Sequence, residues 1–147
     1  MNNNNNNLEK AIKILEEEKD LTLVLVLNES IYKSSEKGIK PLLQLLNSGK
    51  NYLNYSAADK IVGKAAAMLY KLLNVNDIYG EVMSIRAINF LEQNNINFKY
   101  KIKTNEIINR KGTGICPMEQ TVLNIENPTE AKKLLENKLK ELKIKNK

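Results

Sequence analysis

The sequence predicts an α/β layered domain, and three stretches carry that prediction. Leu21–Leu27, LTLVLVL, is almost wholly apolar and rich in strand formers, the pattern of a strand buried on both faces. Residues 78–102 pass from strand to helix to strand, which implies parallel pairing through a right-handed crossover. Ser56–Leu73, SAADKIVGKAAAMLYKLL, reads as one amphipathic helix around which the rest is organised. Its apolar residues Ile61/Val62, Ala65, Met68/Leu69 and Leu72/Leu73 recur at three-to-four spacing. Ser56 with Asp59 makes a capping-box start, and Gly63, Ala65, Ala66 and Ala67 leave room for a neighbouring element to come close to the backbone.

The remaining elements follow in chain order. Residues 1–7 hold a run of asparagines with nothing to build a core, so a disordered polar tail is expected there, with a single domain over 8–147. Leu8, Ala11, Ile12 and Leu15 line one face of a short helix ending near Asp20. After the strand Leu21–Leu27, Ile31–Ser35 is its hairpin partner across Asn28-Glu29-Ser30. Gly38 opens a helix with Pro41 in its first turn and Asn47-Ser48-Gly49 at its close. Ile78–Met83 reads as a strand, Ser84 caps a helix that stops at Asn94-Asn95, and Phe98–Ile102 alternates apolar and charged residues like a strand near a sheet edge. Residues 104–116 form a long loop. Asn127-Pro128-Thr129-Glu130 starts a last helix, with Glu136/Lys140 and Glu141/Lys145 as favourable pairs on its exposed side.

Composition excludes more chemistry than it suggests. The 147 residues include no histidine and one cysteine. Histidine-based acid–base catalysis, a Ser-His-Asp triad, an internal disulfide and a zinc site of three or four N/S ligands are therefore all ruled out within this chain. Neither a metal nor a cofactor is expected. The net charge of +6 is almost all lysine, much of it in the last sixteen residues, and Arg86 and Arg110 are the only arginines. Lysine lacks the bidentate fork that reads bases and phosphates, so nucleic acid is not an expected partner. No apolar stretch resembles a signal sequence or approaches a membrane span, which points to a cytoplasmic protein away from membranes.

The segment Gly112-Thr113-Gly114-Ile115-Cys116-Pro117-Met118-Glu119 is the chemical focus. Two glycines permit a tight turn, and Pro117 with Glu119 can begin a helix whose free N–H groups favour anions and lower the pKa of the Cys116 thiol. An ordinary loop followed by a buried cysteine fits the same residues, and both readings stay open.

Together, the VGKAAA helix, the strand–helix–strand passage and the helix-opening Cys116-Pro117 resemble the cytidine-deaminase-like fold. More closely, GKAAAML with GTGICPMEQ resembles an uncharacterised bacterial family, a domain of unknown function, with that fold. The resemblance covers about residues 8–142 and implies a three-layer α/β/α structure, a mixed sheet flanked by helices. In deaminases the N-termini of two helices meet and hold zinc. Here Lys64 would stand near the His position and Ala66 near the catalytic Glu. Pro117 would stand near the motif proline, with Met118 and Thr121 where the thiolates belong. An active zinc deaminase is therefore not expected.

What the resemblance leaves is a pocket between two helix N-termini, lined by Asp59, Lys64, Cys116 and Glu119. Asn109, Arg110, Gly112 and Gly114 would lie on the loop leading in. Lys64 and Arg110 could neutralise a phosphate or carboxylate. The expected function is non-catalytic, regulatory binding of a nucleotide or other anionic small molecule. The alternatives are a thiol enzyme with Cys116 as nucleophile, and an interaction or scaffold module that includes homo-oligomers.

Overall fold

The computed structural model describes residues 3–145, and its elements alternate along the chain. They are α1 (Asn3–Glu17), β1 (Leu23–Leu27), β2 (Ser30–Ser34), α2 (Lys40–Asn47), β3 (Ser56–Val62), α3 (Lys64–Leu73), β4 (Asp77–Ser84), α4 (Ile85–Gln93), β5 (Asn97–Thr104), α5 (Pro117–Thr121) and α6 (Pro128–Lys145). The strands make one mixed sheet in the order β2-β1-β3-β4-β5. β1 is antiparallel to both β2 and β3, whereas β3, β4 and β5 run parallel. Parallel neighbours need a crossover, and α3 and α4 supply the two that link β3 to β4 and β4 to β5.

The register explains how the two faces are filled. One row crosses all five strands as Tyr32, Leu25, Ala57, Ile78 and Phe98. It belongs to the main core, which α3 dominates with Met68, Leu69, Tyr70 and Leu73, and which α2, α4 and α6 complete. The next row, Val24, Ala58, Tyr79, lies under Leu8, Ala11 and Leu15 of α1. Helices thus cover both sides of the sheet, three layers as expected. α1 packs on β1, β3 and β4.

The main correction concerns Ser56–Leu73. This stretch is a strand and a helix, not one helix: Ser56–Val62 is the central strand β3, Gly63 is the turn, and α3 starts at Lys64. Ser56 and Asp59 therefore form no capping box. The helical spacing of Ile61 and Val62 with Ala65 spans the junction of two elements and has no single face to serve. Ala57 and Ala58 are both fully buried on opposite faces of β3, where their small side chains let α3 and α1 come close. Ladder bonds on both sides, to β1 and β4, override the weak strand propensity of alanine.

The asparagine run also differs from expectation. α1 begins at Asn3, and Asn7 is buried, its side-chain oxygen accepting the N–H of Asn28 at 2.9 Å in the β1–β2 turn. Residues 1 and 2 of the expected tail lie outside the described residues. Elsewhere the local signals hold. Ser84 Oγ accepts from the Ala87 N–H at 3.1 Å, Asn127 Oδ1 accepts from Glu130 N–H at 3.0 Å, and Pro41 sits in the first turn of α2. The pairs expected on α6 differ: Glu136 meets Lys132 at 3.0 Å and not Lys140, and Glu141 meets Lys138 at 3.8 Å, while the side chain of Lys145 lies outside the described residues.

Candidate functional site

The C-terminal ends of the three parallel strands meet the first turns of α3 and α4 and the 105–116 loop. At the N-terminus of α3 the free backbone N–H groups need acceptors, and Gly63, the residue before the helix, has no side chain to offer. Glu119, in the first turn of α5, supplies them. Its two carboxylate oxygens accept the N–H groups of Lys64 at 2.8 Å and Ala65 at 2.9 Å. Gly63 is required for this approach, because a Cβ there would sit 2.3 Å from Glu119 Oε1. Burial pushes the Glu119 carboxyl above its ordinary pKa, and the two N–H bonds oppose that rise. Glu106 nearby adds to it and Arg86 counters it; the two form their own pair at 3.2 Å.

Lys64 does not face into a cleft. Its side chain is buried, with Nζ on the Leu123 carbonyl at 3.3 Å and the Glu126 carboxylate at 3.2 Å, tying α3 to the α5–α6 connection. A thiol enzyme would need that amine beside Cys116, and it is engaged elsewhere. Cys116 is free and half-buried just ahead of α5, packed against the main core, its N–H donated to the Ile107 carbonyl at 2.8 Å.

Asp59 lies in β3, apart from Glu119's contacts. Its Oδ2 accepts the hydroxyl of the fully buried Tyr70 at 2.6 Å and its Oδ1 accepts the Ile61 N–H at 3.2 Å. Desolvation raises its pKa to about 7, against the lowering effect of those bonds. Of the loop residues, Asn109 organises the turn: its N–H reaches Gly114 O at 2.8 Å, its carbonyl accepts Gly112 N–H at 3.0 Å, and its side chain holds Thr113. Gly112 has φ of 71°, which the turn requires, yet a Cβ at Gly112 or Gly114 would meet nothing. These glycines shape an exposed loop and do not cradle a group. Arg110 is exposed at the loop tip.

The structure therefore brings together Lys64 (through its backbone), Glu119, Cys116 by adjacency, Arg86 and Glu106. It sets Asp59 and Arg110 apart. Arg86, Glu106, Tyr70 and Glu126 were not singled out from sequence. Tyr70 carried one signal, a hydroxyl on the apolar face of a helix that must find a partner. Among the described residues no cluster of three or more Cys, Asp or Glu could hold a metal ion, and no helix is long and apolar enough to cross a membrane.

Comparison with known proteins gives a family and a fold. A search of curated proteins gives no match. Residues 10–139 match the family model TM1506, a domain of unknown function also called DUF1893. A solved structure of a DUF1893 family protein, TM1506 of Thermotoga maritima, is 32% identical, with 90% of each chain covered and a TM-score of 0.83. A match over most of the chain, together with that structural agreement, makes this protein a member of the DUF1893 family.

Proposed function

We propose that this chain is a non-catalytic, cytidine-deaminase-like protein that binds an anionic small molecule at the N-terminus of α3, in exchange with its own Glu119. The reading rests on one observation: both oxygens of a buried carboxylate occupy the first two N–H groups of α3. That arrangement is a working anion receptor with an internal occupant. A phosphate or carboxylate of a nucleotide would compete for the same donors, aided by the helix's partial positive charge. Releasing Glu119 would free α5, and with it the Cys116 segment and the 105–116 loop, so occupancy would be reported at the surface. Zinc-water chemistry has no part in this reading, because 147 residues with no histidine and one cysteine cannot supply the ligand set of a deaminase.

Thermal unfolding of wild type and Glu119→Ala against inorganic phosphate, nucleoside monophosphates and ATP tests it. A competing anion at a hundred times its Kd stabilises by about 2.7 kcal/mol, a rise of several degrees. The expected result is a shift in both proteins, larger in Glu119→Ala, where no internal carboxylate has to be displaced. A shift in neither would refute anion binding. A shift in Glu119→Ala alone would make Glu119 a permanent cap and refute exchange.

A further inference from the structure

β5 ends the sheet, and on its outer side no strand pairs with it among the described residues. Six of its eight residues, Asn97 and Lys99–Lys103, are exposed. The register separates them by face. Lys99 continues the row Val24, Ala58, Tyr79, so Lys99 and Lys101 lie on the α1 side of the sheet, beyond β4, where α1 packs no strand. Phe98 and Tyr100 lie on the opposite side, their rings stacked at 6.5 Å. Beyond Tyr100 the alternation shifts: Val62 and Met83 pack in the main core on the side of Gly80, so Lys103 follows Met83 there, and Ile102 lies with Val82 and the exposed Ile61 on the other side. Among the described residues neither Lys101 nor Lys103 has an ion-pair partner. Lys99 attracts Asp77, and Glu81 on the adjacent strand is held by Lys60 at 3.2 Å. The following loop adds Arg110 and Lys111, and its one acid, Glu106, is taken by Arg86.

We infer that the β5 edge is a docking site for an extended, acidic peptide segment that adds to the sheet as a sixth strand, alternating carboxylate and apolar side chains. The free backbone edge supplies main-chain hydrogen bonds. Carboxylates on one face of the added strand meet Lys99 and Lys101, and apolar side chains on its other face meet Phe98 and Tyr100. Charge chooses the occupant: a second copy of β5 would set lysine against lysine, so the same residues that block self-pairing select an acidic strand. An edge kept closed by lysine alone would not need the stacked aromatic pair on its reverse face.

The probe is a fluorescein-labelled peptide of ten residues alternating glutamate and valine, titrated into the full chain. A peptide of the same composition in two blocks, an alternating lysine–valine peptide and a labelled oligothymidine serve as comparisons. The alternating acidic peptide binds saturably, protects β5 amides from hydrogen exchange and weakens steeply with salt. Lys99→Glu/Lys101→Glu, with an unchanged thermal midpoint, weakens it at least tenfold and gains binding of the lysine–valine peptide. Equal binding of the block peptide, no protection of β5, or no exchange of preference in the charge-reversed variant each overturns the inference. Oligothymidine binding more tightly through the same lysines would overturn it in favour of a nucleic-acid surface.

Discussion

Asp59→Asn gives the sharpest test of how the central strand is built. In the folded chain Asp59 keeps its proton up to about pH 7, because desolvation outweighs the Tyr70 and Ile61 hydrogen bonds. An unfolded aspartate loses it near pH 3.9. Between those values the native state binds one more proton than the unfolded state, so stability falls as pH rises through this window and levels off above it. Three pH units correspond to about 4 kcal/mol, trimmed to roughly 2–3 kcal/mol because the side chain is partly open to water. Asparagine removes the titration and keeps the contacts: its oxygen accepts from Ile61 N–H, and the Tyr70 hydroxyl turns to accept from its amide. Urea unfolding of both proteins from pH 4.5 to 8.5 should show near-equal stability at the acid end. At pH 8 the variant should be more stable by roughly 2–3 kcal/mol. Asp77 and Glu119 are also raised by burial, but they are common to both proteins and cancel in the difference. A difference that stays constant from pH 5 to 8 would mean Asp59 is ionised throughout, and the desolvation argument would fail.

Two further substitutions probe how closely elements approach β3 and α3. Gly63→Ala forces Glu119 off the α3 N-terminus and should cost about 2–3 kcal/mol, the worth of a lost charged cap. In a double-mutant cycle with Glu119→Ala the two losses should overlap by at least about 1 kcal/mol; additivity would show that the clash is absorbed elsewhere. Ala58→Ile, at a fully buried position beneath α1, should destabilise by about 1–3 kcal/mol in denaturant unfolding, whereas a neutral result would mean that α1 lies loosely on the sheet.

Elements whose signals are local were legible in the chain. Leu21–Leu27 showed its strand by composition, Ser84 and Asn127 showed their helix starts by side-chain chemistry, and Phe98–Ile102 showed an edge by alternation. β3 was not legible, since its residues answer to partners far away in sequence. Alanine at 57 and 58 suits the approach of two helices and not the strand itself. Asp59 finds its partners there in the Tyr70 hydroxyl, on the next element, and the Ile61 N–H. The β-branched pair Ile61–Val62 followed by Gly63 was the one local mark of a strand ending at a turn.

The candidate site divides in the same way. Cys116, Pro117 and Glu119 were found as a helix start, but the sequence could not show that Glu119 points away from its own helix. It is the missing Cβ of Gly63 that lets the carboxylate enter, although Glu119 lies 56 positions further along the chain. In sequence Gly63 reads as one of several small residues that let a neighbouring element approach; in the fold it follows a strand, precedes a helix and admits a distant carboxylate. A residue that breaks a local pattern and is filled by a remote charged group marks where this fold departs from what local propensity would build. The anion site proposed above falls where Glu119 now sits because backbone donors and the helix's partial positive charge coincide there.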